Sequence, residues 1–291
     1  MFPSSFFNLF PPFPREEKVF VAMSFDPVFE HRWTEVISPA IQRVEVSGSR
    51  LQPLRVDARR VSDSIITEIL TGISRSKLVI ADVTTVGHLA GKPYRNGNVM
   101  YELGLAHAVR LPEEVLLFRS DRDPLLFDMA NVRVNSYDPD AEPEKAMDLV
   151  AGSIIDALRE IDFRRGLAIK SAADSLDFES WSILLEAGTT DGIAPPQTKT
   201  MGQALGNAAR LAAISRLLEV GALSTFYLKI SPDLLTAIPE GQSAENMLKY
   251  RLTAFGRVLV EHIAGRMNLF SADVRKAFEA KFSSKPGDKK P

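Results

Sequence analysis

Residues 77–82 read KLVIAD, a run in which Leu78, Val79, Ile80 and Ala81 are all apolar, with no polar residue alternating between them. A strand with that pattern is buried on both faces, which happens in parallel sheets covered by helices on both sides. Parallel strands cannot be joined by hairpins. Each needs a crossover of a dozen or more residues, usually a helix. The chain supplies this alternation from Lys18 to about Phe163. KVFVAM reads as a first strand and Phe29 to Val44 as an amphipathic helix. LQPLRV reads as a second strand ending near Asp57. SDSIITEILTGISRS then places Ile65, Ile66, Ile69, Leu70 and Ile73 at helical spacing behind a cap at Ser62 or Asp63. After KLVIAD, the stretch VTTVGHLAGKPYRNG holds three glycines and a proline and reads as a long loop. It leads into a helix at NGNVMYELGLAHA. EVLLFRS and ANVRVNSYD read as two further strands, and a helix over residues 144–161 closes the pattern. The expected fold class is α/β, a doubly wound parallel sheet.

Beyond FRRG at Phe163–Gly166 the pattern changes. LDFESWSILLEAG and GNAARLAAISRLLEVGAL read as helices, STFYLKIS and NMLKYRLT as strands, and TAFGRVLVEHIAGRM as a last helix. Helix, helix, strand, strand, helix is the order of a winged helix-turn-helix, so a mainly helical winged-helix-like domain is expected over residues 163–282. A polar tail follows over residues 283–291. Residues 1–17 form an arm whose opening MFPSSFFNLFPPFP interleaves five phenylalanines with prolines that forbid a continuous helix. With no basic start and no small-residue cleavage site, it does not read as a signal peptide. Its rings are expected to pack on this domain or on a neighbouring subunit, which favours a homo-oligomer.

Composition limits the chemistry. The absence of cysteine excludes disulfides, thiolate nucleophiles and cysteine-bound metal, and fits a reducing, cytoplasmic setting. A net charge of -2 argues against a protein built around sequence-independent nucleic-acid binding. No apolar run approaches the roughly 18 residues of a membrane span. The four histidines have no spaced partners, so no metal site is expected.

In open parallel sheets, ligands bind outside the carboxyl ends of the strands. Four segments should therefore meet: residues 22–26, residues 57–60, residues 82–85, and residues 98–102 at the start of the third helix. Glu102 is the one carboxylate in an apolar and small-residue helix, and Asn98, four residues earlier, leaves the same face. A carboxylate beside an amide, with Asp82 expected across the loop, suits cleavage of an N-glycosidic bond, whose oxocarbenium-like transition state needs negative charge near the anomeric carbon. The competing reading is an acid favoured near a helix N-terminus by under about 1 kcal/mol. Ser24, Phe25, Asp57 and Tyr101 are further candidates for substrate contact.

FVAMSF, KLVIADVT and NGNVMYELGLAHA together resemble the nucleoside 2-deoxyribosyltransferase-like group, which overlaps structurally with bacterial TIR-like NAD-cleaving domains. The resemblance covers about half the chain. It implies that Glu102 of the ELG segment is catalytic, that Asp82 helps hold the base or sugar, and that Met23 to Phe25 close on the ligand. The chain departs from the transferases at Asn96, Gly97 and Asn98, where they carry an acidic residue and a Gly-Thr step. That departure leans toward a nucleotide or dinucleotide such as NAD as substrate, with no cofactor. KYRLTAFGRVLVEHI and LLEVGAL resemble the end of winged-helix domains. This pairing of domains recurs in effectors of bacterial anti-phage systems, including some retrons. It implies a protein or nucleic-acid regulator bound through the C-terminal domain, with Arg210 and Arg216 on the candidate recognition helix.

Overall fold

The structure is a computed structural model that describes residues 9–11, 13–46, 48–56, 65–125, 132–190, 192–196, 200–227 and 248–267. The chain divides into two compact units, Met1–Arg165 and Gly166–Pro291. In the first unit the elements run β1 (Glu16–Ala22), a helical segment that ends in α1 (Ser38–Arg43), β2 (Glu45–Val46), β3 (Ser49–Arg50) and β4 (Gln52–Leu54). They continue with α2 (Ile65–Arg75), β5 (Ser76–Asp82), β6 (Thr85–Leu89), β7 (Lys92–Arg95), α3 (Gly97–Val109), β8 (Val115–Arg119), β9 (Val134–Ser136) and α4 (Pro143–Ser175). The last of these carries the chain into the second unit. That unit adds α5 (Phe178–Thr189), α6 (Met201–Glu219), β10 (Leu223–Tyr227), β11 (Leu248–Leu252) and α7 (Ala254–Met267).

Strands β4, β1, β5, β8 and β9 form one parallel sheet in that spatial order. With the two hairpins left out of the count, this is the 2-1-3-4-5 order of doubly wound folds, with a switch point between β1 and β5. The apolar runs of the central strands serve two cores because successive side chains alternate. Val19, Val21, Met23, Leu78 and Ile80 join the core beneath α1 and α4. Phe20, Ala22, Val79, Ala81 and Val83 join the other, with Ile69 and Ile73 of α2 and Val99, Leu103 and Ala106 of α3.

Three expectations from the sequence are corrected here. The stretch after Asp82 is not an irregular loop: β6 and β7 form an antiparallel hairpin. Its two-residue turn places Ala90 at φ 50 and Gly91 at φ 74, the left-handed pair that matches the twist of hairpin strands. Gly87 lets the Tyr94 ring lie across the hairpin, because a Cβ there would stand 2.7 Å from the Tyr94 hydroxyl. The helix expected over residues 29–44 is instead a 3₁₀ turn at Pro27–Phe29, a π-helical stretch at Arg32–Ile37, and α1. Pro39 lacks the N–H that would continue a regular ladder through this region. The helix expected to end near residue 161 runs on to Ser175, through the FRRG expected to begin a new domain. A single glycine inside a helix costs only about 1 kcal/mol, which the surrounding Ala, Arg, Lys and Leu tolerate.

At the amino edge of the sheet, Arg110 closes α3 and is fully buried. It donates to the carbonyls of Ile73 at 2.8 Å, Ser76 at 2.6 Å and Lys77 at 2.5 Å, and to Glu114 at 2.8 Å. In the second unit β10 and β11 pair antiparallel, and Ile193 bridges to Tyr250 on β11. Among the described residues, α6 is the one helix between Ile193 and β10. Thr253 caps α7 by accepting from Gly256 N at 3.0 Å. No helix of the described residues is long and apolar enough to cross a membrane.

Candidate active site at the carboxyl edge of the sheet

The switch point brings the carboxyl ends of β1 and β5 side by side, and α3 begins beside them. Asn96 joins these parts. As N-cap of α3 its side-chain oxygen accepts from Asn98 N at 3.0 Å and Val99 N at 3.3 Å, and its amide donates to Ser24 Oγ at 3.2 Å. Ser24 in turn accepts from Asp26 N at 3.2 Å. One asparagine therefore starts the helix and fixes it to the loop after β1.

Glu102 lies one turn further along α3, half-buried beside Leu103 and Ala106. Burial raises its pKa to about 7, and no neighbouring charge contributes to that shift. This differs from a helix-dipole acid, which would be held low. Asn98 and Tyr101 are exposed on the same first turns. His107 is half-buried, and burial lowers its pKa.

Arg55 ties the loop after β1 to its neighbours. Arg55 stacks over Phe25 at 3.9 Å and faces Trp33 at 5.4 Å. It also pairs with Glu30 at 3.0 Å and donates to the Ser24 carbonyl at 3.3 Å. Phe25 is half-buried in this stack. Met23, expected to face the ligand, is packed in the core beneath α1 and α4. Asp57, and the expected helix cap at Ser62 or Asp63, lie outside the described residues.

Asp82 does not meet Glu102. It alternates with Val83 and Ala81, so its side chain leaves the sheet on the face opposite α3. There it accepts from Thr84 N at 3.0 Å, from the Thr84 hydroxyl, and from the Tyr137 hydroxyl at 2.9 Å. Arg32 stands 3.6 Å from Asp82 and pairs with Asp140 at 2.8 Å. Burial, followed by the Asp82 charge, pushes the Tyr137 phenol well up, so it stays a donor. The β6–β7 hairpin is pinned at its base by Arg95, which reaches Asp121 at 3.2 Å and the Val83 carbonyl. His88 of the hairpin pairs with Asp123 at 3.2 Å.

Sequence reasoning missed Asn96 as a joint, Arg55 and the Arg95–Asp121 clamp. An asparagine directly before a helical segment was the available signal for the first; the other two depend on contacts between distant segments. In the second unit, Arg210 pairs with Glu186 at 2.5 Å, and Arg216 pairs with Asp177, the N-cap of α5. Both guanidinium groups are paired with carboxylates of or next to α5. Among the described residues no group of three histidines or carboxylates is placed to hold a metal ion.

Strand order and site together define an open, doubly wound α/β domain with a neutral-range carboxyl group at the start of the helix beside its switch point. No protein-family model matches the chain, and no curated protein does. Among solved structures, a metal-soaked flavodiiron core, Flv1, from Synechocystis is similar at 13% identity and a TM-score of 0.34. The match covers 50% of this chain and 36% of that one, so this chain corresponds to about a third of its length. A likeness of that extent assigns neither chemistry nor cofactor.

Proposed function

We propose that the chain is an N-glycosidase, or glycosyltransferase, that cleaves the N-glycosidic bond of NAD or a related nucleotide with Glu102 as the acting carboxylate. The observation that carries this reading is the pKa of about 7 at Glu102, raised by burial with no cation nearby, at the edge where such sheets bind ligands. In the proposed step the bond between sugar C1′ and the base nitrogen breaks and its electron pair leaves with the base. The sugar becomes an oxocarbenium-like cation facing the Glu102 carboxylate. Water then adds its oxygen to C1′ and releases a proton, or a second acceptor takes the sugar instead. In this reading Asn98, one turn before Glu102, hydrogen-bonds a sugar hydroxyl, and Phe25 offers the base the ring face that Arg55 does not cover. The resemblance of FVAMSF, KLVIADVT and NGNVMYELGLAHA to the deoxyribosyltransferase and TIR-like group supports the same assignment.

The second unit fits a winged-helix-like module that docks a regulator. The antiparallel β10–β11 pair, the Ile193 bridge and the Thr253-capped α7 support this. The ion pairs of Arg210 and Arg216 favour a protein over a nucleic acid as that regulator. A cytoplasmic role as an anti-phage effector rests on the resemblance alone. The full chain incubated with NAD, deoxynucleotides and nucleosides should release a free base, read by chromatography, and Glu102→Gln should not. Tight nucleotide binding without release by the parental protein would favour a nucleotide sensor instead.

A further inference from the structure

Arg15 stands at the amino edge of the sheet, just before β1, and its side chain is 11% exposed. Its Nε is buried without a hydrogen-bond partner. The nearest carboxylate oxygen, Glu114 Oε2, is 3.8 Å away and already accepts from Arg110 Nε at 2.8 Å and from Leu111 N at 3.1 Å. A buried guanidinium N–H left without a hydrogen bond is costly, so native structures rarely leave one in that state. Arg165 adds to the strain. Burial is the largest cause that lowers the Arg15 pKa; Glu114 opposes it, and Arg165 adds a smaller lowering of its own. Among the described residues, Arg165 donates to the Leu9 carbonyl at 3.0 Å and makes a long 3.9 Å contact to Asp162.

These two guanidinium groups line a cavity of about 340 Å³, with Lys77 and Arg159 also on its wall. The acidic side chains that face it are Glu45, Glu114 and Asp162. Glu114 Oε2 is shared by Arg110 and Leu111 N, Asp162 is largely exposed, and Lys77 is held by Glu17 at 2.8 Å. The apolar part of the lining is Val44, Val46, Ile155, Leu158 and Ile161. The volume falls in the range of small-molecule pockets.

We propose that this cavity binds the oxyanion of a small metabolite, with a phosphate or carboxylate group seated on Arg15 and Arg165 and its apolar body against the α4 wall. The forked donors of arginine match such an anion bidentately. The site lies at the edge of the sheet opposite Glu102, so it is separate from the proposed catalytic site and does not depend on it.

The test uses the full chain with inorganic phosphate and acetate as probes, read by calorimetry and thermal denaturation in buffer free of other oxyanions. Phosphate should bind and raise the melting temperature of the parental protein. Arg165→Gln, at the cavity rim, should weaken phosphate binding roughly ten- to hundredfold. Arg15→Met removes an uncompensated buried cation, so it should raise the melting temperature without phosphate and abolish the response to it. An acetate response without a phosphate response would assign a carboxylate ligand. The proposal is overturned if neither anion binds the parental protein, or if phosphate binds all three proteins equally. It is also overturned if Arg15→Met folds but melts lower in the absence of anions, because Arg15 would then be a structural partner of Glu114.

Discussion

The Asn96 amide donates to Ser24 Oγ at 3.2 Å while its carbonyl oxygen accepts from two free N–H groups in the first turn of α3, those of Asn98 and Val99. One side chain thereby sets both where the helix starts and how it stands against the loop after β1, and Glu102 takes its position from that joint. Replacing Asn96 by alanine removes the cap and the bridge together. The expected loss is about 1–2 kcal/mol of stability, measured by denaturant unfolding. Asn96→Asp keeps the cap and should recover at least half of it.

Glu102→Gln retains shape and hydrogen bonding but removes the charge. Loss of such transition-state electrostatics costs roughly 3 kcal/mol, about a hundredfold in rate. The rate of base release from NAD or nucleotides by the folded variant measures it, and a parental rate would return Glu102 to a structural role.

The pKa of about 7 at Glu102 has a sign that can be checked. If the carboxylate is the active form, kcat/KM should rise about tenfold per pH unit up to about 7 and then level off; a rate that falls over the same range would make the protonated acid the active form. Stability runs the other way. The folded protein holds this proton more tightly than the unfolded chain, so the contribution is full below pH 4.5 and is lost as pH rises to about 7. Glu102→Gln should therefore be more stable than the parent above pH 7, by at most about 3 kcal/mol, lessened by the solvent that still reaches the carboxylate. Unfolding curves of both proteins at several pH values give the difference.

Asp82→Asn leaves the Tyr137 hydroxyl and Arg32 facing a neutral amide in a buried network. Breaking one member of such a network costs about 3 kcal/mol or more. The variant should melt markedly lower. A loss of turnover without a loss of stability would instead place Asp82 in contact with the substrate.

Gly256 sits where a Cβ would stand 2.0 Å from the Ala222 carbonyl oxygen. Gly256→Ala must push α7 away from the turn that leads into β10, at a cost of about 3 kcal/mol. Circular dichroism of the full chain should show the second unit melting earlier, with the first unit little changed.

The sequence by itself determined the parallel sheet. Runs such as Leu78 to Ala81 have no polar side to show to water, and the helical periods between such runs leave no other way to connect them. It also marked Glu102, because a carboxylate within an apolar helix stands out locally. Other features depended on residues far apart in the chain. The hairpin at residues 85–95 follows from two positive-φ residues at Ala90 and Gly91, of which only the glycine is a local signal. The long α4 follows from helix propensity outweighing one glycine. The separation of Asp82 from Glu102 was decided by strand parity: a residue's place on one face or the other is fixed by which strand neighbours pair with it, and only the tertiary structure brought Tyr137, Thr84 and Arg32 to that carboxylate. Arg15 shows the same limit, since nothing in its local sequence reveals that the nearest carboxylate, Glu114, already pairs with Arg110.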